Sequence, residues 1–328
     1  LFQGYARRYI NGWVPTFSQH DLTYVERYGS NFGEMKNGDI KSLEHLACEN
    51  KRLDEQVQSD SRWQGITALG VLKGDIDNLG ALFEAGLKKP SFAKTASLSR
   101  QFNLFFTTCL PYLCQKTPSL MNTYTVFAGG DDFFLMGPWR SQQDLALAMQ
   151  KDFACYVGNN PKVHFSVGLL QVKPGYPVRA MAEAAEEALT LAKQHEDQQG
   201  DVIKNAISIY GQVVSWSEYE KLLDLSSRLD DLRDEHHFSA GFIYRLLELC
   251  DLAAQEHRTP AAALWRSRLA YQIRRNIVDR LVVNGSENAQ LKKSQLQTKL
   301  ACELEGAIRN HGQTYRIALQ RHIYLNRA

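Results

Sequence analysis

Two short acidic groups define the chemistry this chain could perform. The first is Asp75-Ile76-Asp77, inside Gly74–Gly80 (GDIDNLG) and directly after the apolar run Ile66–Lys73; the second is Asp131-Asp132, directly after Gly129-Gly130. Residues i and i+2 of a strand share a face, so Asp75 and Asp77 project together if strand geometry persists past the apolar run. A hairpin tip laid beside that strand would bring three or four carboxylates to one sheet edge. Like charges packed so closely are driven toward protonation unless a divalent cation holds them. One or two Asp oxygens, with the other positions left to water and phosphate, suit Mg²⁺ or Mn²⁺ better than zinc. Gly129 and Gly130 serve the same end, because without side chains they let a triphosphate approach the turn backbone and permit positive φ. Taken singly, a Gly-Gly-Asp-Asp is a solvated turn and an Asp-x-Asp a common strand end. Their placement on successive buried strands, with a helix between, points to a site.

The elements that must position these residues follow from hydrophobic periodicity. Ile66–Lys73 is short and nearly continuously apolar, as in a strand buried on both faces. A helix spans about Thr95 to Gln115, with Leu98, Phe102, Phe105, Cys109 and Leu113 on one stripe. Thr123–Ala128 and Phe133–Met136 flank the Gly-Gly step and read as a hairpin. Ser141–Val157 is helical, Val163–Val172 a strand, the run after Pro177 a helix with Met181, Ala184, Ala188 and Leu191 inward, and Val202–Tyr210 a strand. That order favours an α+β fold: an antiparallel-type sheet with helices packed on one face. Upstream, Tyr9–Phe17 looks extended, Gly29–Ser42 is a polar loop and Leu43–Val57 a charged helix. Beyond Trp216 the pattern is helical only (Phe242–Glu256, Ala261–Val282, Leu291–Asn310), with a polar break at Asn284–Gln290. Three regions result: an N-terminal extension over 1–61, a mixed domain over 62–219 and an all-α domain over 220–328.

At 328 residues the chain is long enough for two or three domains. A hydrophobic share of 44% with 23% charged residues excludes a disordered or fibrous protein. No run of about 18 uncharged apolar residues is present, which excludes a membrane span, and nothing at the start reads as a secretion signal. The chain starts at Leu1 rather than Met and reads as a piece of something larger; Leu1-Phe2-Gln3-Gly4 resembles part of a protease-tag site. Net charge is +2, but from Leu225 onward 16 Lys/Arg stand against 11 Asp/Glu, a local +5, which leaves −3 for the remainder. An acidic front with a basic tail suggests a metal- or phosphate-handling site joined to a surface that meets polyanions. Six cysteines without a C-x-x-C pair read as reduced thiols in a cytoplasm, with neither a disulfide framework nor a zinc site.

The residues also resemble a known family. KGDIDNLG, the helix SLSRQFNLFF, YTVFAGGDDFFLMGPW, the strand HFSVGLL, the helix AAEEALTLAKQ and VIKNAISIYG follow, in order and spacing, the second palm domain of the large subunit of CRISPR type III-A (Csm) effector complexes. The resemblance covers about Arg62 to Tyr219; the helical tail matches that subunit's C-terminal domain in kind. Two positions depart from it: Gly74 stands where alanine is expected and Phe133 where leucine is usual. It implies a ferredoxin-like, nucleotide-cyclase-like palm of the GGDEF type, followed by the helical domain. It also implies conversion of ATP into cyclic oligoadenylates, as antiviral second messengers, when the complex binds a target transcript.

Carried over by position, Asp75 and Asp131 would be the principal metal ligands, Asp132 belongs to the same catalytic motif, and Asp77 is a weaker ligand. Lys193 and Lys204 fall where the family places basic residues near triphosphate, and Asn78 and Ser99 would line the nucleotide pocket. One ion would then activate a ribose 3′-hydroxyl for in-line attack on an α-phosphate. A second would steady the departing pyrophosphate, its oxygens neutralised by the two lysines. Implied partners are the small and guide-binding backbone subunits, guide RNA and target RNA. The first palm and HD nuclease region usual in the large subunit are not visible here. His20-Asp21 is an HD dipeptide without a supporting His/Asp cluster. Arg266, Arg268, Arg274 and Arg275 could touch guide RNA or a small subunit, or form a solvated helix face. Two alternatives stay open. A diguanylate cyclase is disfavoured by Asp132 where Glu is usual and by the absence of an Arg-x-x-Asp pattern around Asn122–Thr125. A catalytically silent scaffold is the other.

Overall fold

The computed structural model describes residues 14–29, 34–53, 63–87, 89, 91–197, 199–281 and 287–327, and the chain divides into two units, Leu1–Tyr219 and Glu220–Ala328. Of the expected extended run at Tyr9–Phe17 only residues 14–17 are described, with a bridge from Thr16 to Ile40. The helix expected over Leu43–Val57 instead ends at Cys48, and Arg52–Leu53 pairs as a strand, with 54–57 outside the described residues. The break expected at Asn284–Gln290 is shorter, since a helix already starts at Glu287.

The first unit opens with a 3₁₀ helix (Asp21–Tyr28), the short helix α1 (Leu43–Cys48) and a two-residue antiparallel pair, β1 (Arg52–Leu53) with β2 (Trp63–Gln64). Ser42 starts α1 with a capping box: its hydroxyl accepts from His45 N, while its own N–H donates to His45 Nδ1. The segment before the sheet is built into the unit. Asn50 Oδ1 accepts from the amides of Arg140 and Ser141, and Ala68 N donates to Ala47 O.

The main sheet follows. In chain order the elements are β3 (Leu69–Ile76), α2 (Leu79–Ala85), α3 (Phe92–Leu104), α4 (Leu110–Lys116), β4 (Tyr124–Gly129), β5 (Asp132–Pro138), α5 (Trp139–Tyr156), β6 (Phe165–Val172), α6 (Val178–Ala192), β7 (Ala206–Ile209) and β8 (Gln212–Ser215). The six strands lie in the order β4-β5-β3-β6-β7-β8, so the Asp-bearing strand β3 is central, flanked by the hairpin strand β5 and by β6. All pairings are antiparallel except β6 with β7, which is parallel because α6 carries the chain back across the sheet.

Helices cover both faces, not one. Gly70 faces α5, where a Cβ would come within 2.6 Å of Gln142, and Gly168 faces α6, where a Cβ would meet Leu189 N at 2.3 Å. Paired residues share a face, and Gly70 pairs with Gln171 while Lys73 pairs with Gly168, so the two glycines point to opposite sides. On the α6 side Leu69, Val71, Phe134, Met136, Met181 and Ala185 form a core with Leu46 and Ala47 of α1. On the other side the rings of Phe105, Phe106, Phe133, Phe153 and Phe165 meet at centroid distances of 5.0–6.2 Å.

The helix expected over Thr95–Gln115 is broken by a π turn at Phe105–Cys109. Pro111 supplies the reason. It has no N–H to return to Thr107 O, and its ring crowds that carbonyl, so the ladder slips by one residue.

The second unit holds α7 (Trp216–His236, continuing from the first), α8 (Ala240–Ala254), α9 (Trp265–Asn276), α10 (Glu287–His311) and α11 (Arg316–Leu325), with short 3₁₀ turns after α8, α9 and α10, and no strand occurs among its described residues. Buried Trp265, Leu246, Ile273, Tyr315 and Leu319 fill its interior. His322, itself buried, sits with Nδ1 2.6 Å from Asp230 Oδ1. No described helix is long and apolar enough to cross a membrane.

Candidate functional site

The hairpin between β4 and β5 closes on two residues, Gly130 and Asp131, because Gly129 pairs with Asp132. Gly130 has φ +73° while Asp131 keeps a negative φ, the sign pattern of a type II′ turn and one that glycine fills without strain. Asn103 of α3 fixes the turn: its Oδ1 accepts from Gly130 N at 3.1 Å, and the same oxygen would lie 3.0 Å from any Cβ placed on Gly129. Glycine is favoured at both positions, at Gly130 by conformation and at Gly129 by the approach of Asn103. Nothing in the apolar stripe of α3 singles out Asn103; the only signal is a polar residue inside SLSRQFNLFF.

The turn is docked on the end of β3. Ile76 N donates to Asp131 O at 2.9 Å, and Asp75 is register-paired with Asp132 on one side and Ser166 on the other. Asp75, Asp131 and Asp132 thus meet at one sheet edge. Burial pushes the Asp75 carboxyl above its ordinary value, the bond from Lys193 pulls it back, and the charges of Asp131 and Asp77 push it up again. Asp132 is raised for the same reasons, first by burial and then by Asp131 and Asp75, with Lys73 opposing. Asp131 itself is exposed at the tip.

Lys193, just past the end of α6, donates through Nζ to Asp75 Oδ2. Lys204 lies on the turn before β7, and its Nζ donates to Asn78 Oδ1 at 2.7 Å. Asn78 follows Asp77 and adopts φ 54°, the left-handed conformation that Asn tolerates better than most residues. The structure therefore gathers Asp75, Asp131, Asp132, Gly129, Gly130 and Lys193 at one place, with Asn78 and Lys204 joined beside it. Ser99 is exposed on α3, and no contact ties it to this group.

Asp77 departs from its expected role as a metal ligand. The shared face holds, since Asp77 is close enough to raise Asp75, but its side chain is 0% exposed and both oxygens are engaged within the protein. Ser166 Oγ donates to both at 2.9 Å, His164 Nδ1 lies 2.7 Å from Oδ2, and Asn205 N donates to Oδ2 at 3.1 Å. The strand rule gave the face; it could not give these partners, which lie roughly ninety or more residues away.

Among the described residues no three or more His, Cys, Asp or Glu side chains form a group able to hold a metal by themselves. Two converging carboxylates fit a hard divalent cation whose remaining positions go to water and phosphate, the habit of Mg²⁺ and Mn²⁺. The donors are all oxygen, burial followed by neighbouring carboxylates raises Asp75 and Asp132, and Lys193 already sets a cation against Asp75.

Of the basic residues expected to face RNA or a subunit, Arg266 is occupied. It bridges Glu256 and Glu305 and lies over the Trp265 ring at 4.7 Å. Arg274 reaches Asp279 at 3.6 Å, Arg275 donates to Tyr271 Oη at 3.4 Å, and Arg268 lines an open cavity of about 460 Å³ between α8 and α9. Asp21 of the HD dipeptide accepts from Ser18, Arg27 and Lys41 inside an ionic network and is not free for a metal.

Residues 68–205 match the family model described as Cas10/Cmr2, second palm domain. Among curated proteins, Cas10/Csm1 of Methanocaldococcus jannaschii, named a CRISPR system single-strand-specific deoxyribonuclease of subtype III-A, is 32% identical over 167 residues, 46% of this chain and 21% of that protein. The Cas10/Csm1 of Thermococcus onnurineus is 30% identical over 287 residues, 81% of this chain and 34% of its own length. The chain thus spans about a third or less of these relatives. Among solved structures, Csm1 of T. onnurineus superposes with a TM-score of 0.62 at 20% identity, over 92% of this chain and 42% of that one. A Csm1–Csm4 cassette in complex with cA3 superposes with a TM-score of 0.59 at 21% identity, over 88% and 38%. The resemblance read from the sequence holds, and so does the α+β palm fold followed by helices.

Proposed function

We propose, from the premise that this chain carries a palm similar to that of Cas10/Csm1, that its sheet edge joins ATP molecules through 3′–5′ bonds into cyclic oligoadenylates within a type III effector complex bound to target RNA. The observation that carries the reading is the pairing of Asp75 with Asp132 and the docking of the Asp131 backbone on Ile76 N, which brings the two acidic motifs to the same end of the central strands. Similar Csm1–Csm4 cassettes have been crystallised with ATP, with the linear pppApApA and with cyclic cA3 and cA4, a series running from substrate to ring.

Asp75 and Asp131 would hold Mg²⁺ or Mn²⁺, with Asp132 adding charge to the same edge. Such an ion, when bound, favours the alkoxide form of a ribose 3′-hydroxyl and neutralises charge developing on pyrophosphate. Gly129 and Gly130 leave the turn backbone open to phosphate, and Asn103 holds that backbone still. Lys193, which now donates to Asp75, would donate to triphosphate oxygens at the same place. Lys204 and Asn78, already bonded to each other, present a donor and an amide beside it. The contribution of the protein is placement and fixed charge rather than covalent chemistry. Partner subunits, guide RNA and target RNA belong to this same proposal.

The test is mass spectrometry of nucleotides formed by the complete assembly with and without target RNA. ATP with Mg²⁺ or Mn²⁺ gives cyclic oligoadenylates only with target RNA, and replacing Asp131 and Asp132 together by Ala removes them while RNA binding persists. Unchanged product from the double variant overturns the assignment, and product from GTP but not ATP replaces it with a diguanylate-cyclase-like activity.

A further inference from the structure

We infer that Asp77 is a positioning residue that staples the turn carrying Lys204 to the end of β3, and so sets where Lys204 and Asn78 meet the nucleotide; this rests on the nucleotide-handling function proposed above. Asp77 is buried at the point where the ladder ends: its own N–H donates to His164 O at 2.8 Å, the last rung between β3 and β6. A carboxylate taken from water must be matched by donors, and here the donors come from two other places in the chain. Ser166 and His164 belong to β6 and the residues before it, and Asn205 N belongs to the turn before β7.

That turn would not hold its shape unaided. Lys204 and Asn205 are consecutive with φ 55° and 49°, and Asn78, next to Asp77, has φ 54°. Three residues other than glycine in the left-handed region around one carboxylate are conformations that persist only when their surroundings over-determine them. In this geometry the Asn205 N–H reaches Asp77 Oδ2 at 3.1 Å, and Lys204 Nζ lies 2.7 Å from Asn78 Oδ1. Asp75 and Asp77 therefore divide the labour of one motif: the first would hold the proposed cation, the second fixes the polar pair beside it.

The experiment compares Asp77→Ala, Asp77→Asn and Asp75→Ala in the full-length chain within its assembled complex. Hydrogen exchange reads the Asn205 amide, electron paramagnetic resonance reads Mn²⁺ affinity, and steady-state kinetics read ATP. Asp77→Ala is expected to release the Asn205 amide and to raise KM for ATP by about tenfold or more with kcat within about threefold, the signature of lost positioning rather than lost chemistry. Its Mn²⁺ affinity falls far less than that of Asp75→Ala, because the bonds of Asp77 go to His164, Ser166 and Asn205 and to no proposed ligand. Asp77→Asn keeps an oxygen that accepts from Ser166 and Asn205 and recovers most of the KM, which also guards against a variant that merely misfolds. Loss of Mn²⁺ in both Asp77 variants, to the extent seen in Asp75→Ala, makes Asp77 a ligand and overturns the inference. So does an Asn205 amide whose exchange is unchanged in Asp77→Ala, or an unaltered KM. If Asp75→Ala leaves ATP turnover intact, the proposed function falls, while the Asn205 exchange still decides the staple on its own.

Discussion

The first unit gathers carboxylates in two places and treats them in opposite ways. Near its N-terminus, Asp21 and Glu49 are matched by two cations. Lys41 Nζ, 1% exposed, lies 3.0 Å from Asp21 and 2.7 Å from Glu49 and donates to Asn122 Oδ1 at 2.9 Å, while Arg27 reaches the same carboxylates at 3.1 and 2.8 Å. Burial would raise Asp21, but the bonds from Ser18 and Lys41 outweigh it, and its carboxyl falls below the ordinary value. At the sheet edge Asp75 and Asp132 are raised instead, and Lys193 is the only cation bonded to Asp75 among the described contacts. Where the task is to hold a segment in place, every charge is paired. At the proposed site the pairing is less complete, which leaves room for the cation proposed above.

The largest effect is expected from breaking the completed side. Lys41→Met leaves Asp21 and Glu49 buried with Arg27 alone, and removing one partner from such a pair costs about 3–5 kcal/mol. Urea denaturation should show a markedly lower midpoint with an unchanged slope; a loss below about 1 kcal/mol, the range of exposed pairs, would erase the contrast.

A middle-sized effect should come from the strand beneath the acidic edge. Gly74 pairs with Phe133, and a Cβ on Gly74 would lie 2.2 Å from the tip of the Phe133 ring. The two positions that depart from the family pattern are thus one compensated pair: the wider ring is accommodated because the facing residue has no side chain. Gly74→Ala should destabilise by about 1–3 kcal/mol through overpacking. Adding Phe133→Leu should recover most of that, and a double-mutant cycle by thermal melting measures the coupling directly.

The smallest effect sharpens the open side. The pKa of Asp132 is raised in the folded state, so its contribution to stability is full below the unfolded value and is lost as pH rises through the folded one. Asp132→Asn should therefore raise Tm by about 1–3 °C at neutral pH in chelator and by nothing measurable near pH 3. The Asp21 network runs the other way: its carboxyl is lowered, so its stabilisation is present above the unfolded value and fades in acid.

These contrasts also show which parts of the molecule local sequence can specify. Ile66–Lys73, the Gly-Gly-Asp-Asp hairpin, Val163–Val172 and the helix after Pro177 were legible because each carries its own periodicity or turn chemistry, and each lies within a few residues of its strand or helix here, although the buried stripe of that helix is Met181, Ala185, Leu189 and Ala192, and Leu191, expected inward, is exposed. Helix coverage of the second face was not, because β3 is apolar on both sides and a continuous run does not say what lies on each. The π turn escaped because Pro111 reads equally well as the first turn of a new helix. Within the site, Asp75 and Asp131 were visible as residue types at a strand end and a turn. Asn103 and the true partners of Asp77 were not, since their roles exist only once α3 and β6 have been folded against the motif.

Gly168 gives the sheet edge a mechanical property of its own. Because it has no Cβ, α6 rests with its backbone almost on β6 at Ala185 and Leu189. Lys193 lies one turn beyond Leu189, about 6 Å along the axis. The helix therefore works as a short cantilever clamped at a bare patch of strand, with an ammonium group at its free end. The height of that ammonium above Asp75 is decided not at the acidic edge but at a residue with no charge, no side chain and no part in the chemistry.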